Sequence, residues 1–143
     1  MWQDFTERGK RVFQIAHKEA LRMGHDVIGT EHVLLALLYD NDTIISRVLM
    51  YHRTSEALVS EIERNAGVGT PYEEERDLPT SQRVKVVMDL AMREARRMGM
   101  NYIGTEHIFL AILAEREGMA AQVLASHGMT LQGCRALIAE LRE

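Results

Sequence analysis

Four residues occur twice in this chain. Gly29-Thr30-Glu31-His32 returns as Gly104-Thr105-Glu106-His107, 75 positions later. A carboxylate next to an imidazole could serve a metal, an acid–base pair or a cationic ligand, and spacing separates these. Neighbouring residues on a helix project about 100° apart, so Glu and His in sequence do not converge on one ion. No HExxH spacing is present, and His17, His25, His52 and His127 are scattered without ligand spacing. No metal site is expected, and the histidines read as side chains bonded to neighbouring backbone. Cys134 is the one cysteine, occurs in one copy only, and falls on a helical stretch where a free thiol behaves as a small hydrophobe. GxSxG, GxxxxGK[ST] and GxGxxG are all missing, and Gly67-Val68-Gly69 opens no helix. Catalysis is therefore not expected, and twin copies of one motif suit binding better than chemistry. An acid in a first helical turn complements the helix dipole by about 0.3–1 kcal/mol. That explains an acid, but not four identical residues beside neighbours that drift, as His25-Asp26-Val27 does against Met100-Asn101-Tyr102. Two readings of Glu31 and Glu106 stay open here: helix-start acids, or anchors for a ligand.

The elements that carry the motif are themselves duplicated. Shifted by 75 positions, Arg22-Met23-Gly24 meets Arg97-Met98-Gly99, Leu35-Ala36 meets Leu110-Ala111, Val48-Leu49 meets Val123-Leu124, and His52 meets His127. The match runs almost the whole unit without a gap. Each unit reads as four helices. The first spans about 6–23, with Val12, Phe13, Ala16, Ala20 and Met23 on one stripe, repeated by Val87, Met88, Ala91, Ala95 and Met98. Gly24 and Gly99 sit where that helix ends. Thr30 and Thr105 are expected to cap the second helix. A third helix is expected near 44–51 and 119–127, and a fourth near 55–65 and 131–142. Residues 66–79, with two prolines, two glycines and an acidic cluster, read as a solvated link. The expectation is an all-α domain over 1–143, with repeat one at 5–65, a linker at 66–79 and repeat two at 80–142. Units of about 60–70 residues have marginal cores alone, so the two should pack as one pseudo-two-fold body.

Composition narrows the function. The net charge is -4, which argues against a nucleic-acid partner, since such proteins usually carry a basic stripe. No apolar run approaches the ~20 residues of a membrane span. The first residues lack the basic start and apolar stretch of a secretory signal. A single cysteine fits a reducing compartment. The expected setting is cytoplasmic, and no cofactor is called for.

The paired segments EALRMGHDVIGTEHVLLALL and EARRMGMNYIGTEHIFLAIL resemble the amino-terminal domain of the Clp unfoldases, and the Gly-Thr-Glu-His in both copies resembles the ClpC branch. The resemblance covers about 5–141. It implies a non-catalytic receiving domain at the end of a chain with two ATPase modules. Such a domain binds adaptors and marked or misfolded substrates, which the ring threads into the ClpP peptidase. The isolated domain is expected to be a monomer. No ATPase motif occurs in these 143 residues, so a second reading is a free-standing relative that binds marked substrates and modulates the protease. In the ClpC branch the mark can be phosphoarginine, and the resemblance implicates Glu31 and Glu106. A carboxylate can take a guanidinium bidentately, and a helix start offers N–H groups to a phosphate. Thr6 and Ser81, expected at the starts of the first helix of each copy, would present such groups, with Arg8 and Arg83 in the first turn. Three stretches depart from the family pattern: 40–46, 51–54, and Thr80-Ser81-Gln82, where the family often has an aromatic residue followed by Thr-Pro. The last departure makes the second copy the weaker side, and if only one site exists the one expected to be lost is that whose phosphate end depends on Ser81.

Overall fold

The computed structural model describes residues 1–40, 43–52 and 55–142. The expected turn at 51–54 lies partly outside them. A single 3-10 turn at Trp2–Asp4 leads into eight helices: α1 (Glu7–Arg22), α2 (Thr30–Tyr39), α3 (Thr43–His52), α4 (Ser55–Ala66), α5 (Gln82–Arg97), α6 (Thr105–Glu115), α7 (Met119–Ser126) and α8 (Leu131–Arg142). The order is one four-helix unit given twice, as the repeat requires.

Amphipathic α1 and α5 bury most of the predicted stripes, with Val12, Ala16, Ala20 and Met23 on one and Val87, Ala91 and Ala95 on the other, while Phe13, Met88 and Met98 are half-buried against the core. Both end on a glycine in the left-handed region, Gly24 at φ 69° and Gly99 at φ 75°. The second helices are apolar on most sides, and both are nearly engulfed: Val33, Leu34, Leu35, Ala36 and Leu37 of α2, and Ile108 through Leu113 of α6, are buried. The third helices also reach across the repeats. α7 packs on α6 of its own unit and on α2 and α4 of the first, while α3 packs on α2 of its own unit and on α6 and α8 of the second. Each unit therefore contributes to the other's core.

Short parallel bridges join the units at the helix starts. Thr6 N–H donates to the Ile103 carbonyl at 2.9 Å and Ile103 N–H to Asp4. Symmetrically, Ser81 N–H donates to the Ile28 carbonyl at 2.9 Å and Ile28 N–H to Pro79. The start of α1 thus runs beside the start of α6, and the start of α5 beside the start of α2.

Two expectations change. Thr30 and Thr105 do not cap their helices. Gly29 and Gly104 hold that position, and the threonines are the first helical residues. Thr30 is buried and its hydroxyl accepts the Ala120 N–H of α7 at 3.4 Å, so a contact between the units takes it from the local cap. Of the expected link at 66–79, Ala66 belongs to α4; residues 67–79 are largely exposed and helix-free, and they are pinned to α1 rather than free in solvent. Gly69 N–H donates to the Met23 carbonyl, Tyr72 N–H to Leu21, and the Tyr72 hydroxyl to Asp26.

Candidate functional site

The Gly-Thr-Glu-His geometry is the same in both copies. The glycine N–H donates to Nδ1 of the histidine three residues on, at 2.9 Å for His32 and 2.9 Å for His107. This ring satisfies one of the N–H groups that a helix start leaves without an acceptor. Both rings are buried, and burial above all holds each pKa down at about 4, with His25 adding to the effect at His32 and Arg142 at His107. Both are neutral at physiological pH, so their role is to shape the helix start.

The glutamate explains the glycine. The carboxylates of Glu31 and Glu106 fold back over the glycine two residues earlier. A Cβ at Gly29 would lie 2.0 Å from Glu31 Oε1, and one at Gly104 would lie 2.1 Å from Glu106 Oε1. A side chain at either glycine would push that carboxylate aside, so the glycine keeps the glutamate folded back over the helix start.

What surrounds each carboxylate comes from the other repeat. Glu31 opens into a cleft of about 300 Å³ lined also by Ser81, Arg83, Gly118 and Met119 and by a second carboxylate, Glu117. Three helix starts, those of α2, α5 and α7, meet there. First-turn N–H groups and the positive ends of helix dipoles favour an anion. Ser81 caps α5 by accepting the Val84 N–H at 3.2 Å, as Thr6 caps α1 by accepting the Gly9 N–H at 3.0 Å. Ser81 therefore stands with Glu31 of the first copy, across the repeat boundary, and Thr6 stands by Ile103, just ahead of Glu106. Arg83 reaches the lip of the cleft, held by Glu115 at 3.0 Å and Glu117 at 3.1 Å. Arg8 is the counterpart and lies 3.4 Å from Asp40.

Here the two copies part. Glu31 is partly exposed and has no cationic partner among the described residues. Glu106 is only 7% exposed and is bound by the guanidinium of Arg142, from the last turn of α8. The same guanidinium donates to the Tyr102 hydroxyl at 2.7 Å. A further difference lies behind the motif. His32 Nε2 meets His25 Nδ1 at 2.7 Å, and His25 Nε2 meets the Gly67 carbonyl at 2.7 Å. Because His32 Nδ1 accepts from Gly29, its Nε2 must donate, and the chain of bonds runs from Gly29 through both rings to Gly67. In the second copy Met100 stands at the place of His25, and His107 Nε2 is buried without a hydrogen-bond partner.

No group of three His, Cys, Asp or Glu placed to hold a metal occurs among the described residues. Cys134 is buried, and burial pushes its thiol up to about 11, which leaves little thiolate. Among the described residues no helix is long and apolar enough to cross a membrane. At Thr80 an apolar groove of about 220 Å³ opens between Trp2, Phe13, Ile28, Val84 and Met88.

The comparisons with known proteins decide the family. Residues 4–127 match the Clp repeat (R) N-terminal domain. This chain belongs to that family. It is 40% identical over 142 residues to the negative regulator of genetic competence ClpC/MecB of Bacillus subtilis, covering 99% of this chain and 17% of that protein. It is 37% identical over 142 residues to the chaperone protein ClpB of Oceanobacillus iheyensis, again covering 99% of this chain and 17% of the relative. The N-terminal domain of the caseinolytic protease associated chaperone ClpD from Arabidopsis thaliana superposes with a TM-score of 0.75 at 25% identity, covering 100% of both chains. The chain thus spans about a sixth of the length of these curated relatives. The domain is ClpC-like, and its double four-helix architecture is that of Clp N-terminal domains.

Proposed function

We propose that this chain is the receiving domain of a ClpC-like unfoldase, and that Glu31 and Glu106 anchor phosphoarginine on marked proteins. The observation that carries this reading is the Glu31 cleft. A carboxylate with no cation of its own sits beside the starts of three helices, with Ser81 and Arg83 opposite. Phosphoarginine has a planar guanidinium that donates and a phosphate that accepts. The carboxylate suits the first and the helix starts with Arg83 suit the second. Thr6, placed at the start of α1 beside the Glu106 end of the molecule, takes the role that Ser81 takes by Glu31.

On this reading the domain does no chemistry. It concentrates marked or misfolded proteins, and adaptors that carry them, near ATPase modules that unfold the cargo for the ClpP peptidase. The working compartment is the cytoplasm.

Calorimetric titration with free phosphoarginine tests the reading. The parent chain should bind, and Glu31→Ala/Glu106→Ala should lose binding ten-fold or more while keeping its helical circular dichroism, because hydrogen bonds to a charged partner are worth about 1.5–3 kcal/mol each. Arginine and phosphoserine, which carry one half of the ligand each, should bind far more weakly. A folded double variant that binds as the parent does would reduce both glutamates to helix-start acids.

A further inference from the structure

The two carboxylates share a motif but not a state. Arg142 already places a guanidinium on Glu106, with one N–H on the carboxylate and another on the Tyr102 hydroxyl. This is the guanidinium half of the recognition proposed above, supplied by the chain itself. The side chains involved are 24% exposed for Arg142 and 9% for Glu106, so the contact is largely withdrawn from water. The repeat shows where the difference comes from. Shifted by 75 positions, Arg142 falls on Gly67 and Tyr102 on Val27. The first copy has neither the guanidinium nor the phenol, and Glu31 faces an open cleft.

We propose that Arg142 is an internal competitor for the Glu106 seat, so that an arginine-type ligand takes the Glu31 seat first and reaches Glu106 only when the Arg142 guanidinium gives way. This rests on the phosphoarginine reading and adds an order of occupancy to it. The position of Arg142 suits a reversible cap. It is held over the carboxylate by side-chain contacts alone and is partly exposed, so the guanidinium can swing out into solvent. A ligand at Glu31 meets no guanidinium already seated on the carboxylate, whereas a ligand at Glu106 must first break the Arg142 hydrogen bonds to Glu106 and Tyr102. Tyr102 acts as a positioning residue, because it holds the guanidinium in the plane that meets the carboxylate.

The test is calorimetric titration of the 143-residue chain with phosphoarginine, in the parent, Arg142→Ala, Tyr102→Phe, Glu31→Ala and the Glu31→Ala/Arg142→Ala pair. The parent should show one dominant site that Glu31→Ala weakens ten-fold or more. Arg142→Ala should add a second site of similar affinity, which Glu106→Ala in that background removes, and Glu31→Ala/Arg142→Ala should bind one ligand. Tyr102→Phe keeps every charge and every packed ring atom, and should strengthen the weaker site in the same direction by a smaller factor. Two sites equal within about two-fold in the parent, unchanged by Arg142→Ala, would overturn the cap and leave the phosphoarginine reading standing. A lack of binding by parent and Arg142→Ala alike would overturn both.

Discussion

The starts of α2 and α6 are the same four residues in the same geometry, and they differ in everything that faces them. Around Glu31 stand Val27, Ser81, Arg83 and the start of α7, while Glu106 is met by Arg142, whose guanidinium also donates to the Tyr102 hydroxyl. Behind His32 is His25, and behind His107 there is no polar partner. A duplicated motif therefore keeps its backbone purpose in both copies, because the glycine N–H is bonded to the histidine ring in each. Whether its carboxylate is available is set by residues well outside it, from the other repeat or from the fourth helix of its own. Duplication gives two copies of a seat, and the drift of its neighbours makes them unequal.

The largest expected effect concerns what the copies share. His32 and His107 stay neutral in the folded chain down to about pH 4, whereas a histidine in the unfolded chain protonates near 6.5. Between those values the unfolded state binds more protons, so stability is full above about pH 6.5 and falls as the pH drops toward 4. The loss should be roughly 2–3 kcal/mol for each ring, read from urea midpoints across that window. Gln at either position keeps an acceptor for the glycine N–H and should remove about half of the slope. A slope that one of the two substitutions abolishes alone would break the equivalence of the copies at this level.

The glycines that end α1 and α5 should then separate. Gly99→Ala pays for a left-handed φ with nothing near the new methyl, a loss of about 1 kcal/mol. Gly24→Ala pays the same and also drives a Cβ to within 2.3 Å of the Thr70 carbonyl oxygen, so about 3 kcal/mol is expected. Equal losses in thermal unfolding would mean that the link at 67–79 is not held against α1 in solution.

A smaller effect makes one copy resemble the other. His25→Met strands His32 Nε2 as His107 Nε2 is stranded, and should cost about 1–2 kcal/mol. The reverse change, Met100→His, offers His107 a partner and should gain under about 1 kcal/mol. A Met100→His variant less stable than the parent would show that the second copy's apolar setting is better served by methionine.

Much of this was legible in the sequence. The 75-residue register fixes the helix order, the stripes on α1 and α5, and the seats of Ser81 and Thr6 as caps, because each rests on local chemistry. Thr30 was misread as a cap because its partner, Ala120, is 90 residues away. The cap by Arg142 was out of reach for a similar reason. The drift from Val27 to Tyr102 is visible in the alignment of the copies, but only the fold brings the end of α8 to the start of α6. The contact of α3 and α7 with the opposite unit is likewise a tertiary fact, since it joins helices far apart in sequence.

The central claim is that an arginine-type phosphate ligand is seated at the start of α2 before the start of α6. The amides of Gly29 and Gly104 report on those places directly, since each is hydrogen-bonded to the histidine of its own motif. Nuclear magnetic resonance titration of the isotope-labelled chain with phosphoarginine should move the Gly29 signal to saturation while Gly104 still holds its unbound position, and Arg142→Ala should bring the two titrations together. Gly104 moving first, or the largest shifts falling away from both glycines, would contradict the account.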